Sequence, residues 1–421
     1  MKGMFRHAMN IKGLLKDKET RQKILNLFYS VGAVAVFNLI TQIAYWYFKR
    51  RLGDEAHGEI LSVISLIAIT AGTFGYAVNC ARILGVEKGR TNNGDFNLIL
   101  LAMGLLGSMI GIGYLFYLGL ATPLSIFLFI LLSFATMLRY YSEVEFRLNT
   151  NFFRYMIYYL LISVGYVAGL FLFRLSGQWM LALIVGELMA FVYILFRGTI
   201  FRRPVFKLSP QFGAILGSIW FLLISTLIEN VALHADRIVL LAITGKGEYV
   251  STYYIASLAG KIIAMLTVPI NSLVISYLMR YKGGLTKKLW SVVIFASLIL
   301  GFIGFLGCIL VSPLLIHILT GGESEEAMKY MVPAILGQIF YFVSGVLVLI
   351  LLRFKGEKKQ FALNAAYAVV FFALVIAGTL MGDLTGFVWA IVVANAIRFA
   401  AAVIWGFLGK KKQSGPTPVS E

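Results

Sequence analysis

Long apolar runs, each separated from the next by a short polar stretch, dominate this chain. A helix needs about 20 apolar residues to cross a bilayer. The runs show no alternation of polar and apolar residues, which excludes membrane strands. The pattern therefore predicts an all-α, polytopic membrane protein with twelve spans, at residues 24–48, 60–79, 96–117, 123–138, 155–173, 179–196, 214–243, 251–279, 290–312, 327–352, 361–380 and 386–408.

The composition and the placement of charge support this class. Of the 421 residues, 60% are hydrophobic and 13% are charged, against roughly 25% charged in a soluble domain. That is too little charge to cover a soluble enzyme. The net charge of +18 could indicate a nucleic-acid partner, but 28 of the 37 Lys and Arg residues precede the first span, follow an even-numbered span or lie in the tail. This asymmetry is an insertion signal, and it predicts a multi-pass protein of the cytoplasmic (inner) membrane with both termini inside.

A weak internal repeat relates the two halves of the chain. Residues 37–53 (FNLITQIAYWYFKRRLG) align with residues 229–245 (ENVALHADRIVLLAITG) after a shift of 192, which pairs Asn38 with Asn230 and Gly53 with Gly245. Six spans precede the repeat point and six follow it, so both halves keep the same orientation. Chance similarity between apolar helices is the alternative. The repeat predicts two six-helix lobes around a central cavity, at 1–208 (with a basic cytoplasmic segment, 1–23) and 209–408, followed by a cytoplasmic tail, 409–421.

Several segments resemble one transporter family. They are RRLGDEAHGEI and FGYAVNCARI in the first half, and ADRIVLLAITGKGEYVSTYYIASLAGKI, VPINSLV and PLLIHILTGGESEEA in the second. The chain resembles the multidrug/oligosaccharidyl-lipid/polysaccharide (MOP) exporter superfamily, in its O-antigen and exopolysaccharide flippase branch. The turn TGKGEYVS lacks the second glycine of the family pattern, and no motif identifies the sugar.

The resemblance implies a function. It implies alternating access between two lobes and an undecaprenyl-diphosphate-linked oligosaccharide as cargo. It also implies work beside the glycosyltransferases and the polymerase of polysaccharide or lipopolysaccharide synthesis, with membrane lipids as the surrounding partner and no nucleic acid.

Ionisable residues inside the spans are the candidate site. A charge at mid-bilayer costs about 2.5–3.5 kcal/mol on insertion scales, so such residues should face protein or a water-filled cavity. On the seventh span five polar residues fall within an arc of about 120°, a stripe that predicts a cavity face. They are Thr226, Glu229, Asn230, Asp236 and Arg237, whereas Ser225 and His234 lie outside the arc. The candidates for contact with the cargo's diphosphate are Arg237, Lys261, Arg398, Arg82, Asn230 and Tyr254, and those for proton or ion coupling are Glu229, Asp236 and Glu187.

Alternatives stay open for these residues. Each cation could instead be neutralised inside the protein, with Asp236 pairing Arg237, Glu187 pairing Arg398, and Glu229 pairing Lys261. Arg82 closes its span and could be an interfacial anchor.

The sequence shows no catalytic or metal-binding motif, so no enzyme activity, metal or cofactor is expected. An exporter of cationic drugs would need an acidic residue in the first span, and residues 24–48 contain none. A lipid II flippase usually has two additional spans. A membrane glycosyltransferase would need clustered acids at a water-facing loop, and the pair Glu143 and Glu145 is expected to be part of an ordinary solvated loop.

Overall fold

A computed structural model describes residues 18–86, 89–265, 283–320, 322, 325–355 and 357–408. The first 17 residues of the predicted basic segment, the predicted tail and the end of the eighth predicted span lie outside the described residues. The side chain of Glu229 is also outside them, although its backbone is helical.

Ten helices contain nearly all the described residues, and none of these residues forms a strand, which confirms the all-α prediction. In chain order they are α1 (Lys18–Val86), α2 (Asn93–Tyr117), α3 (Pro123–Leu148), α4 (Phe152–Ser176), α5 (Trp179–Arg197), α6 (Phe212–Thr244), α7 (Gly247–Met265), α8 (Lys287–Thr320), α9 (Glu325–Lys355) and α10 (Glu357–Phe407).

Two of the helices are broken internally. In α1 the break is at Gly53, whose φ is 88° and ψ 175°. Only glycine, which has no Cβ, adopts this backbone conformation at little energetic cost. In α10 the break is at Gly382 and Asp383. The first two predicted spans are thus the two arms of α1, and the last two are the two arms of α10. Gly245, the residue that the repeat pairs with Gly53, also has a positive φ, of 64°.

Eight helices of the described part are long and apolar enough to cross a membrane, or nine if the bent helix α6 is counted as one span. A broken helix counts once in this tally, and the number of twelve crossings stays a prediction. The fourth predicted span was drawn too short, because α3 continues to Leu148. Its last turns therefore include Glu143 and Glu145, which the sequence placed in a loop.

Contacts divide the described residues into two compact units. The first contains the residues up to Arg51 together with Leu66–Asn230, and the second contains Leu52–Ser65 together with the residues from Val231 onward. The predicted lobe boundary at residues 208 and 209 stays a prediction.

Small residues allow α4 and α5 to approach closely within the first unit. A Cβ on Gly165 would lie 2.3 Å from the Cα of Gly186, and a Cβ on Gly169 would lie 2.3 Å from the carbonyl oxygen of Ala182. Such spacing of small residues lets the backbones of membrane helices meet, where van der Waals packing replaces the hydrophobic effect.

In the second unit, α8 presents a broad apolar surface. Phe295 is 67% exposed, Phe302 63% and Leu310 80%. An exposed apolar surface of this extent fits contact with hydrocarbon rather than with water.

Candidate functional site

Two basic residues share one carboxylate where α6 lies against α7 in the second unit. Lys261 Nζ lies 3.8 Å from Asp236 Oδ2, and Arg237 Nε lies 3.7 Å from Asp236 Oδ1. The carboxylate also accepts a 2.9 Å hydrogen bond from the backbone N–H of Arg237. We call these three residues the Asp236 cluster.

Tyrosine rings complete the surroundings of this cluster. The Arg237 guanidinium lies 5.4 Å from the ring centroid of Tyr254. Lys261 Nζ lies 5.0 Å from that of Tyr253 and 5.1 Å from that of Tyr254. Ring faces attract cations, so Tyr254, a predicted site residue, holds both basic groups in place. His234 Nδ1 lies 3.5 Å from Arg237 Nη2.

The charges of the cluster do not balance. Arg237 Nε and Lys261 Nζ are buried, and neither has a hydrogen-bond partner among the described residues. Two cations share one carboxylate at distances longer than a hydrogen bond. The cluster therefore has one net positive charge and free donors with which to meet an anion.

Arg398 on the second arm of α10 forms another cationic centre. Its guanidinium lies 4.5 Å from the ring centroid of Tyr341 and 4.6 Å from that of Tyr367. The Tyr367 hydroxyl donates a 2.7 Å hydrogen bond to Asn395, and the Asn395 amide donates to the Gly337 carbonyl at 3.0 Å. These contacts hold the guanidinium between two rings, and we call this arrangement the Arg398 slot.

The Arg398 charge is not neutralised by a described residue. The side chain is 8% exposed, its Nε and Nη1 have no hydrogen-bond partner, and it forms no ion pair within the described part of the chain. A buried charge without partners is costly, and two cation–π contacts offset only part of that cost. The slot is therefore suited to an anion that accepts forked hydrogen bonds.

The predicted pairing of Glu187 with Arg398 is wrong. Glu187 belongs to the first unit, where its Oε1 lies 2.9 Å from Arg139 Nε and accepts a hydrogen bond from the Tyr166 hydroxyl at 3.0 Å. Its Oε2 has no partner among the described residues. The pairing of Asp236 with Arg237 is confirmed. The pairing of Glu229 with Lys261 lies outside the described side chains.

Two predicted binding residues lie in the first unit, among structural partners. Arg82 donates to Asn93 Oδ1 at 2.6 Å and to the Tyr141 hydroxyl. Asn230 donates to Thr73 Oγ1 at 2.9 Å. The contacts of Arg82 join the end of α1 to the start of α2 and to α3, and they favour the anchor interpretation for this residue.

The structure also corrects the interpretation of Glu143 and Glu145. Both are buried in α3 rather than solvated in a loop. Glu143 accepts hydrogen bonds of 2.6 Å from Arg147 and from the Tyr159 hydroxyl. These contacts fix the Glu143 carboxylate within the first unit.

Sequence reasoning missed a group of Ser, His and Asp residues in the second unit. Ser251 Oγ donates to Asp54 Oδ1 at 2.7 Å and lies 2.9 Å from His57 Nδ1. In a nucleophilic triad the histidine lies between the other two, whereas here the serine does. Beside them, Glu55 accepts hydrogen bonds from the backbone N–H groups of Gly247 and Glu248 at 2.8 and 3.0 Å. These contacts fix the start of α7. In the sequence they were indicated only by the acidic, turn-forming stretch that contains Asp54 and Glu55.

No group of three His, Cys, Asp or Glu side chains that could hold a metal ion occurs in the described ranges.

Comparison with known proteins gives similarity in structure only. No family model matches the sequence, and no curated protein matches it. An inward-facing multidrug resistance MATE family transporter of the MOP superfamily matches with a TM-score of 0.68 and 16% identity, over 89% of this chain and 93% of that one. The lipid II flippase MurJ, in an inward closed conformation, matches with a TM-score of 0.71 and 16% identity, over 90% and 87%.

The Vibrio cholerae MATE transporter VcmN in its bent form is a further match, with a TM-score of 0.58 and 14% identity over 91% of this chain and 94% of that one. These likenesses cover nearly the whole chain. They show that this chain has the fold of these transporters, as the sequence resemblance implied.

Proposed function

We propose that this chain, which has the fold of the MOP transporters, is a flippase for an undecaprenyl-diphosphate-linked oligosaccharide. The cargo would be the repeat unit of an O-antigen or exopolysaccharide, moved across the cytoplasmic membrane by alternating access. The chemistry needed is transient binding of a diphosphate, with no bond made or broken.

The observation that carries the proposal is the Arg398 slot. A diphosphate offers several oxygen acceptors and more than one negative charge, which matches a guanidinium with two free nitrogens. Since Arg398 has no acidic partner among the described residues, an anion entering the slot displaces no carboxylate. The tyrosine rings keep the donors oriented before the ligand arrives, which reduces the entropic cost of binding.

The Asp236 cluster supplies a second set of donors with a different property. Its two cations already share an internal anion, so a diphosphate must compete with the Asp236 carboxylate. A ligand can drive a conformational change only through different affinities for the two states. Exchange of Asp236 for cargo phosphate is one such difference. Proton coupling through Asp236, Glu229 or Glu187 belongs to the same proposal, because protonated Asp236 would release both cations.

The test is transport by the purified protein in proteoliposomes, with a labelled undecaprenyl-diphosphate oligosaccharide. We expect Arg398→Gln to lose most of the translocation. Arg174→Gln, which changes an exposed arginine in the last turn of α4, is the matched control and should remain active. Normal translocation by a well-folded Arg398→Gln variant would contradict the proposal.

A lipid II flippase is the second candidate, because lipid II has the same polyprenyl diphosphate group and MurJ shares the fold. The donors described here do not depend on the glycan. Competition between a peptide-bearing lipid and an oligosaccharide lipid in the same assay separates the two cargoes. A multidrug cation exporter is less favoured, since Asp236 lies against two cations and is poorly suited to attract a third.

A further inference from the structure

A pocket in the first unit lies where α3 ends, α4 begins and α5 ends. It is a small pocket that is partly open to the outside. All three helix ends are on the side that the charge distribution predicts to be cytoplasmic. The lining residues that matter are Glu145, Asn149, Asn151, Arg154, Tyr193 and Arg197.

The one carboxylate in this lining is already occupied. Glu145 accepts hydrogen bonds from the backbone N–H groups of Thr199 and Ile200 at 2.8 and 3.2 Å, and from the Thr199 hydroxyl at 2.9 Å. It also accepts from the Asn149 amide at 3.0 Å. Uncharged donors therefore use its oxygens, and it forms no ion pair within the described residues.

The two arginines of the pocket are therefore not neutralised. Arg154 and Arg197 are exposed and form no ion pair with any residue that the structure describes. Each directly follows an exposed phenylalanine, Phe153 at 51% and Phe196 at 79%. Two guanidinium groups on helix ends that also carry exposed apolar side chains match a phosphate group with acyl chains attached, since basic pockets between membrane helices on the cytoplasmic side bind anionic headgroups.

We propose that this pocket binds the phosphate of an anionic membrane lipid. Arg154 and Arg197 donate forked hydrogen bonds to the phosphate oxygens, and the ring of Tyr193 closes the side of the pocket. Phe153 and Phe196 contact the acyl chains. The site is separate from the cationic centres of the second unit, and it requires only that the chain lies in a membrane. Its test is therefore independent of the cargo.

The experiment measures binding of phosphatidylglycerol to the detergent-purified full chain by native mass spectrometry and by the shift of the thermal unfolding midpoint. Phosphatidylcholine and inorganic phosphate are the comparison ligands. We expect the double variant Arg154→Gln/Arg197→Gln to bind phosphatidylglycerol more weakly than the wild type, by roughly tenfold or by a larger factor, because each basic residue adds attraction to anionic lipid. Arg174→Gln is the matched control and should keep the wild-type shift.

A second double variant, Arg154→Lys/Arg197→Lys, keeps the charge without the fork and should retain part of the binding. An equal phosphatidylglycerol shift in the wild type and in the glutamine variant overturns the proposal. Equal protection by phosphatidylcholine overturns it as well. Protection by inorganic phosphate that equals the effect of the lipid and disappears in the glutamine variant overturns the lipid as the source of the phosphate.

Discussion

The Lys261 ammonium lies 3.8 Å from one oxygen of the Asp236 carboxylate, and this carboxylate also lies 3.7 Å from Arg237 Nε. One buried anion therefore serves two buried cations. The carboxylate offsets only part of their charge, and it leaves hydrogen-bond donors on both cations.

Asp236→Asn should strengthen the binding of undecaprenyl diphosphate severalfold, because the ligand no longer competes with a carboxylate. The same change leaves two cations unpaired and should lower the stability of the unliganded protein by about 3–5 kcal/mol. Ligand should then restore much of that loss, because binding to the folded state stabilises it. Titration with undecaprenyl diphosphate and thermal unfolding with and without it measure both effects, and weaker binding by the variant would exclude the competition.

The tyrosines of the Arg398 slot should contribute through their rings. Replacing Tyr341 or Tyr367 with Leu removes a cation–π contact worth about 0.5–2 kcal/mol and should weaken diphosphate binding accordingly. Tyr367→Phe keeps the ring and loses only the hydrogen bond to Asn395, so it should weaken binding less than Tyr367→Leu. Equal losses for Phe and Leu would assign the effect to the hydroxyl instead.

The ion pair of Arg139 and Glu187 should be structural. Glu187→Gln leaves a buried guanidinium uncompensated and should cost about 3–5 kcal/mol. The double variant Arg139→Met/Glu187→Leu removes both charges and should recover most of that loss. The comparison is made by the midpoint of chemical unfolding in detergent. If Glu187→Gln is as stable as the wild type but has altered pH dependence of transport, Glu187 is a coupling residue.

Close helix packing gives a prediction with an internal control. A Cβ on Gly186 would lie 2.3 Å from the Tyr166 ring and 2.5 Å from the Ile162 carbonyl oxygen, whereas a Cβ on Gly113 in α2 meets nothing within 4 Å. We expect Gly186→Ala to lower stability by about 1–3 kcal/mol. Gly113→Ala should be neutral or slightly stabilising, since alanine is the better helix former. The measurement is the midpoint of thermal unfolding of the two variants, and equal midpoints would contradict the prediction.

The contact of Glu55 with the start of α7 should stabilise the protein about as much as a helix cap does. Glu55→Ala leaves two backbone N–H groups without their acceptor and should cost about 0.5–2 kcal/mol. Protection from hydrogen exchange should fall first at residues 247 to 250. Unchanged exchange there would show that water replaces the carboxylate at no cost.

Hydrophobic runs were sufficient to predict an all-helical membrane protein and the regions of its helices. They could not locate helix ends at which polar residues are buried, because a hydrophobicity pattern assigns charged residues to solvent. Glu143 was therefore assigned to solvent, although Arg147 and Tyr159 satisfy its oxygens inside the protein.

The candidate site was predicted in part. The polar stripe of α6 predicted that Asp236 and Arg237 face away from lipid, and both are buried in the structure. The contact of Asp236 with Lys261 of α7 was not predicted, because the sequence suggested Glu229 as the partner of Lys261. Contacts between distant segments could not be read from spacing. Glu187 was thus matched to Arg398 when its partner is Arg139, and the tyrosines around Arg398 were missed because nothing distinguishes them from the many lipid-facing aromatics.

The stretch Leu52–Ser65 is packed with the residues that follow Val231, although it is encoded far upstream of them. A gene cut between codons 208 and 209 would therefore yield two polypeptides of which the second lacks the acid that caps α7 and the histidine beside Ser251. Co-expressed fragments divided there should depend on each other to fold. Adding residues 52–65 to the downstream fragment should reduce that dependence.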